Sequence, residues 1–524
     1  MNYELKKTNY RWIICGMLFL ATTINYMDRQ VLSLTWKDFI APEFHWSDAN
    51  YGSITAAFSL FYAFISLFSG KFIDWIGTKK GYLFAIFVWS TGAVLHAFSG
   101  IITSGILTNN WLVGYDQAKG YIADYMVTGT APVWFASFVE FLRSLPSWLQ
   151  WITKLLVSDG TIDAMLAVST ICVWIFIAFR LVLALGEAGN FPAAIKVTAE
   201  YFPKKDRALA TSIFNSGASV GALVAPVSIP FLARAYGWEM SFIIIGAMGF
   251  LWMFLWLFVY EKPEKTSRVN KAELTYINQD DVETTTDKEA ETAEKEEKGI
   301  SLWRCFCLRH TWSYICGKFF TDGVWWFLLF WAPAYFSEMY GYRSDSAMGA
   351  TLIFLVYIIV TVVSIIVGGY LPKYFIERRG MEAYSGRLRA MFFFALLPVF
   401  ALLAQPLGQV SAWWPAIVIG LAGAGHQAWS ANLYSTVGDM FPKSAIATIT
   451  GIGTMTGGIA SFLINQGAGL FFDYSAARGS DFQALGFEGK EAAYMIVFCY
   501  CAVAYLIAWA CMKTLVPRYK KVEL

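Results

Sequence analysis

Charge is scarce in this chain: Asp, Glu, Lys and Arg together make up 15% of its 524 residues. A soluble protein of that length needs a far more polar surface, so a water-soluble fold is excluded. Histidine is scarcer still, and His45, His96, His310 and His426 are scattered. No His/Cys metal spacing and no phosphate-cradling G-x-x-x-x-G-K-S/T run occurs, which removes the usual frames for a metal site, a nucleotide site or a catalytic centre. No metal, no cofactor, no nucleic-acid partner and no enzymatic activity are therefore expected. Cysteine gives no disulfide framework: Cys15, Cys172, Cys316, Cys499, Cys501 and Cys511 fall inside apolar runs, and Cys305 and Cys307 in a stretch expected to face the cytoplasm. The first apolar run lacks a small-residue cleavage site, so it is read as a retained span.

What fills the chain instead is apolar, at 57% hydrophobic and 18% aromatic. Runs of about 20 residues, enough to cross ~30 Å of hydrocarbon as helix, fall near 12–35, 51–73, 81–100, 166–190, 208–235, 240–260, 310–338, 347–371, 388–406, 412–437, 446–472 and 491–513. These twelve runs predict an all-α polytopic membrane protein. Lys and Arg gather in alternate connections: Lys6, Lys7 and Arg11; Lys79 and Lys80; Lys204, Lys205 and Arg207; Arg378, Arg379, Arg387 and Arg389; Lys513, Arg518, Lys520 and Lys521. The positive-inside rule then places both termini in the cytoplasm. Residues 101–165 set Trp134, Phe135, Phe138, Trp148 and Trp151 among Asp116, Asp124, Glu140, Asp159 and Asp163. That stretch is too apolar for a disordered linker and too interrupted for two spans, so one or two external amphipathic helices against the membrane interface are expected. Residues 261–300 turn to Glu, Lys and Thr, as in Asp287-Lys288-Glu289-Ala290-Glu291, and read as a solvated linker between two halves.

Polar residues inside the spans carry the functional signal, since an unpaired charge at membrane depth costs at least ~2.5–3.5 kcal/mol. Arg180 and Glu187 lie seven apart in FRLVLALGEAGNFP, on one helix face and roughly 10 Å apart along it. They cannot easily pair with each other, so each must find a partner on another helix, in water or on a ligand. In Asn25-Tyr26-Met27-Asp28-Arg29, Tyr26 and Arg29 share a face while Asp28 points to a neighbouring helix. By depth, Asp28 is expected toward the external side and Glu187 toward the cytoplasm, with Arg180 between them and pairing with Asp28 in the empty state. The seventh run holds Lys318 and Asp322 at i, i+4, a spacing equally suited to a structural salt bridge. The tenth offers His426, Gln427 and Ser430, and the fifth opens with Asn215 among small residues that permit close helix approach. Glu200-Tyr201-Phe202-Pro203-Lys204 is echoed by Asp439-Met440-Phe441-Pro442-Lys443, as two repeated six-helix halves would leave behind.

The turn Gly70-Lys71-Phe72-Ile73-Asp74-Trp75-Ile76-Gly77-Thr78-Lys79-Lys80 resembles the G-x-x-x-D-x-x-G-x-R/K-R/K loop of the major facilitator superfamily. Together with Asn25 to Arg29, Arg180 to Pro192, the Asp322-Gly-Val-Trp-Trp-Phe327 run and His426 to Ser430, the chain resembles the anion:cation symporter family, and within it the hexuronate transporters. The resemblance spans nearly everything except 101–165 and 265–298. Ala218 stands where some sugar-acid members place glutamine, and Gly323 where proline is common.

This resemblance implies two pseudo-symmetric six-helix bundles: 1–100 with 166–260, and 306–524, separated by an external insertion at 101–165 and a cytoplasmic linker at 261–305. It implies proton-coupled import of an organic anion, a sugar acid above all, by a monomer in the bacterial cytoplasmic membrane, with Na⁺ left open as coupling ion. A proton antiporter of the same fold, or a carrier for another carboxylate, is the alternative. The implied substrate residues are Tyr26, Arg29 and Arg180, joined from the polar and aromatic positions above by Tyr62, Asn215, Trp326, His426, Gln427 and Ser430. Asp28 and Glu187 are the implied proton carriers, and Gly70, Asp74, Gly77 and Lys79 the gating set.

Overall fold

The structure, a computed structural model, describes residues 7–158, 160–280, 302–441 and 443–518. Each apolar run forms a long helix: α1 (Tyr10–Thr35), α2 (Asp48–Ile76), α3 (Thr78–His96), α4 (Ala164–Glu187), α5 (Lys204–Tyr236), α6 (Trp238–Val259), α7 (Arg309–Tyr340), α8 (Ala347–Lys373), α9 (Ala383–Leu396), α10 (Trp413–Met440), α11 (Lys443–Arg478) and α12 (Gly489–Leu515). Among the described residues, seven of these are apolar enough to cross a bilayer on composition alone, and α3 with its 56° continuation Ser99–Thr108 makes an eighth. The four that fall short are α1, α7, α10 and α11. Three of them contain the in-span charges and histidine, Asp28 and Arg29, Lys318 and Asp322, and His426, so the polar residues that lower their hydropathy are also the candidates for function.

Helices α1–α6 and α7–α12 pack as two halves. Between the halves the contacts are α1 with α7, α2 with α11 and α5 with α8, a pattern unchanged when the halves are exchanged. The repeat extends to polar detail: Glu200, ending the α4 segment, accepts from Thr78 Oγ1 at the start of α3 (2.6 Å), and Asp439, ending α10, pairs with Arg387 at the start of α9 (3.0 Å). Pro442, part of the sequence echo, lies outside the described residues. Because α1 and α7 run parallel, both chain ends reach one side of the bundle, here called the terminal side.

Close approach is bought with glycine. Gly52, Gly458 and Gly469 let α2 and α11 touch backbone to backbone, and Gly92 and Gly186 do the same for α3 and α4. A Cβ at Gly186 would meet the Trp89 backbone, so this glycine sets how near α3 comes to α4.

Beyond the continuation Ser99–Thr108, the described residues of the connection between α3 and α4 form three α-helices, Tyr115–Thr128, Val133–Arg143 and Gln150–Leu156, where one or two were expected. Sequence reading missed the extra turns because Gly114, Gly129, Pro132 and Pro146 divide the apolar stretch into pieces too short to show a full helical period. Phe135, Val139, Leu142 and Val157 build a small core of their own against Leu166 and Ile171 of α4, while Trp148 and Trp151 stay exposed. After α6, Glu273 of the short helix Lys271–Ile277 accepts from the N–H groups of Tyr10 (3.0 Å) and Arg11 (3.2 Å) and pairs with Arg11 Nη1 (3.0 Å). The carboxylate thus caps the first turn of α1, where the helix dipole favours an anion. The Asp287 to Glu291 stretch lies outside the described residues.

Gly186→Val should cost roughly 1–3 kcal/mol through overpacking. A lower melting temperature of the purified protein is the expected readout, and an unchanged one would refute the contact with Trp89.

Candidate functional site

A buried ion pair joins α1 to α4. Arg29 Nε lies 2.9 Å from Glu187 Oε2, with the two side chains 4% and 0% exposed. Helical spacing brings Tyr26 and Arg29 to one face of α1, and the guanidinium sits among three rings: Tyr26 at 5.3 Å, Tyr62 of α2 at 4.8 Å and Trp326 of α7 at 5.6 Å from its carbon. Asp28, one residue back and about 100° around the helix, faces α3 and accepts from Trp89 Nε1 at 3.0 Å. Trp89 was not a sequence candidate. A tryptophan far from both interfaces must find an acceptor for its N–H, and that was the available signal.

Toward the opposite side lies a cavity of ≈ 210 Å³ empty volume lined by Arg29, Leu32, Ser33, Tyr51, Thr55, Phe58, Arg180 and Phe330. Arg180 is 4% exposed and makes no ion pair with any described carboxylate; its guanidinium carbon lies 5.6 Å from the Phe58 ring. The cavity therefore holds one arginine in direct contact with an acid and one that Asp28 and Glu187 attract only through space. Hydroxyls of Ser33 and Thr55 flank them, which suits an anion bearing hydroxyl groups.

Two expectations are corrected here. Asp28 does not pair with Arg180: its partner is Trp89, and the cation facing an acid across the helix seam is Arg29. Nor does Glu187 lie well below Asp28 with Arg180 between them. The fourth span extends through Asn190–Tyr201, so it covers Ala164–Tyr201 in 38 residues. Measured from the shared terminal side, Glu187 is then roughly 21 Å up from Tyr201 and Asp28 roughly 27 Å up from Tyr10. The two acids are near neighbours in depth, and Arg180 lies beyond both.

The remaining candidates separate. His426 is buried in the second half, stacked on Trp325 (centroids 4.9 Å, 8°), with Nδ1 2.8 Å from Tyr505 Oη. Gln427 and Ser430 are half-buried, and none of the three lines the cavity. Asn215 is exposed on α5, two residues before Gly217, where α5 meets α1 at Phe19 and Thr23. Lys318 and Asp322 neutralise each other at 2.6 Å, with Tyr434 Oη 3.2 Å from Lys318 Nζ. In the α2–α3 turn, Gly77 takes φ +89°, which a side chain would strain, and Gly70 has open space around it; Lys79 is half-buried, and the Asp74 side chain lies outside the described residues.

On the side away from the termini the two halves are locked together. Lys37 and Lys490 each touch both Asp48 and Glu338, with Lys37–Asp48 at 3.0 Å and Lys490–Glu338 at 2.6 Å. Asp473 of α11 accepts from the N–H groups of Asp48 and Ala49 at 2.9 Å each, capping α2 from the other half. Asp38 accepts from Ser344 N (2.7 Å), Ser344 Oγ (2.7 Å) and Ser337 Oγ (2.6 Å). Tyr51 stacks on Trp36 and donates to the Phe330 carbonyl at 2.8 Å, closing the cavity beneath this network.

Comparison with known proteins agrees with this architecture. The sequence profile of the Major Facilitator Superfamily matches residues 18–114 and 160–464, leaving out the helices Tyr115–Thr128 to Gln150–Leu156. The hexuronate transporter of Escherichia coli (strain K12) is 24% identical over 468 residues, 88% of either chain. The galacturonate transporter of Dickeya chrysanthemi is 23% identical over 366 residues, 70% of this chain and 82% of that one. Among solved structures, a D-xylose-proton symporter matches with a TM-score of 0.60 at 15% identity, covering 95% of this chain and 97% of that one, a likeness of fold. With two interchangeable six-helix halves and a family profile running through most of both, this chain belongs to the Major Facilitator Superfamily and is a multi-pass membrane transporter, not an enzyme.

Proposed function

We propose that the protein imports an organic anion, a hexuronate or closely related sugar acid, together with protons by alternating access, as a monomer in the bacterial cytoplasmic membrane. The Lys and Arg excess in the terminal-side connections supports cytoplasmic termini. The locked side is then external, the insertion 101–165 external and the linker 261–305 cytoplasmic, between bundles formed by 1–100 with 166–260 and by 306–524. Gly70, Asp74, Gly77 and Lys79 gate the cytoplasmic side.

The observation that carries the reading is Arg180, a buried cation without an acid partner, facing a cavity with hydroxyl and aromatic lining. Leaving it uncompensated is costly, and a substrate carboxylate is the natural counter-ion. A carrier of cationic drugs would need the opposite charge there. Relatives named for hexuronate and galacturonate support the sugar acid; others named as probable galactarate/D-glucarate transporters keep a different carboxylate as the second reading.

Coupling follows from competition for Arg29. While Glu187 is ionised it holds Arg29; once protonated it releases the guanidinium to join Arg180 on the substrate carboxylate. One proton on Glu187 thus offsets one substrate charge, and the loaded cavity carries the same net charge as the empty one. Proton and anion favour each other's binding by the same factor, as linkage requires. Asp28, at nearly the same depth, is the second proton carrier. Tyr26, Tyr62 and Trp326 orient Arg29, while Asn215, His426, Gln427 and Ser430 complete the substrate path in other conformations.

Two experiments test this reading with labelled glucuronate in proteoliposomes. Arg180→Lys should weaken apparent affinity by about 10- to 100-fold, the ~1.5–3 kcal/mol of a hydrogen bond to a charged group; an unchanged KM would remove the carboxylate clamp. Glu187→Gln, a mimic of the protonated acid, should still exchange substrate in counterflow but lose accumulation driven by a pH gradient. Full pH-driven accumulation by that variant would sink the coupling scheme.

A further inference from the structure

Directly on the terminal side of the ion pair, side chains from α1 and α4 leave a set of buried polar atoms without partners. Trp89 occupies Asp28 Oδ2, and Arg29 occupies Glu187 Oε2. Asp28 Oδ1 and Glu187 Oε1 are buried and unbonded, as are Asn25 Nδ2 and Oδ1 and Asn190 Nδ2. Asn190 Oδ1 is taken by Tyr82 Oη at 2.8 Å. Asn25 is 0% exposed and Asn190 1%. A buried amide of this kind costs roughly 1–3 kcal/mol if it stays unpaired.

Helix geometry brings these atoms to one seam. Asn25 is three residues before Asp28, about 4.5 Å toward the terminal side, and its direction falls between those of Asp28 and Arg29. Asn190 is three residues after Glu187 on an antiparallel helix, so it too lies about 4.5 Å toward the terminal side. Its direction falls between that of Glu187 and that of Gly186, which faces α3. Two carboxylates with one open oxygen each therefore stand above two amides with one open NH2 group each, where α1, α3 and α4 meet.

We infer that Asn25 and Asn190 hold a water molecule that bridges Asp28 and Glu187 and carries the coupling proton between them. Resting on the proton-coupled reading above, the assignment adds two positioning residues to it. The chemistry matches atom for atom: a water accepts from the two amide N–H groups and donates to Asp28 Oδ1 and Glu187 Oε1, four partners in all, the upper end of the usual range for a buried water. When Asp28 is protonated, its Oδ1–H replaces the Asn25 N–H as a donor to the water oxygen and one water proton turns to Asn25 Oδ1; the proton on Asp28 Oδ1 then passes to the water oxygen while the other water proton passes to Glu187 Oε1. Asp28 ends ionised, Glu187 neutral and the water unchanged. Neutral Glu187 then releases Arg29. Asn25 Oδ1 remains as an acceptor able to turn the water between the two acids.

The test compares Asn25→Leu, which removes the amide at similar volume, with Asn25→Ser, which restores a donor and acceptor and leaves room for water. In proteoliposomes, pH-driven glucuronate uptake and substrate-driven proton movement, followed with an entrapped pH dye, are each divided by the counterflow rate of the same variant. The expected result for Asn25→Leu is a fall of about a hundredfold in both ratios, the low end of what a positioned proton-transfer group contributes, with recovery in Asn25→Ser. Should Asn25→Leu fail to reach the membrane, Asn190→Ala carries the same comparison. Wild-type ratios in Asn25→Leu overturn the bridge, and so does a parallel loss of counterflow and coupling that serine does not repair, since that marks a packing role. If the wild-type protein itself shows no pH-driven uptake, the proton-coupled reading fails and the bridge falls with it.

Discussion

The pair Arg29–Glu187 is the constraint around which the first half is arranged. Both groups are out of water, so the attraction between them has to offset the desolvation of two charges, and neither partner can be withdrawn cheaply. A buried pair of this kind is a weak source of stability but a good switch, because anything that neutralises the acid leaves the cation seeking another anion. The three rings around the guanidinium limit where it can turn, and the cavity containing Arg180 lies on its open side.

The pair has a counterpart between the halves, in the lock on the side away from the termini. Lys37, Asp48, Glu338 and Lys490 alternate in sign across the two halves, and Asp473 and Asp38 accept hydrogen bonds donated from the opposite half. Among the described residues, Ser59–Ser461 at 2.8 Å is the polar contact between halves nearest the terminal side. The two halves are thus fastened at one end and around the cavity, the arrangement in which rigid halves can rock about a central site. The small residues of the α2–α11 seam provide the close, smooth contact such a motion requires.

The cavity that contains Arg180 is a small space between the two halves. Its walls are of two kinds. The first half supplies both arginines and the hydroxyls, whereas the second supplies Phe330 and, against Arg29, Trp326. The first half also supplies Leu32, Tyr51 and Phe58, so it contributes all of the charge and much of the apolar lining as well.

Read alone, the sequence determined the class, the twelve helices and the repeat, because apolar run length, charge clustering and the Glu200 to Lys204 echo are local quantities set by the thickness of the bilayer and by the cost of charge within it. It also singled out Asp28, Arg29, Arg180 and Glu187, since ionisable groups inside such runs are conspicuous wherever the chain goes. Which of them meet is another matter. Seven residues along a helix place Arg180 and Glu187 on one face, but the extension of the fourth span to Tyr201 decides their depth, and that rests on the helix Asn190–Tyr201 continuing α4 past Ala188 and Gly189. The pairing of Glu187 with Arg29, the turning of His426 onto Trp325 and Tyr505, and the choice of Trp89 rather than Arg180 for Asp28 all depend on contacts between helices distant in sequence. Only the tertiary structure decided these, because a side chain's partner is fixed by interhelical distance and by the glycines at Gly92 and Gly186 that set it, and no periodicity along one helix encodes the position of another.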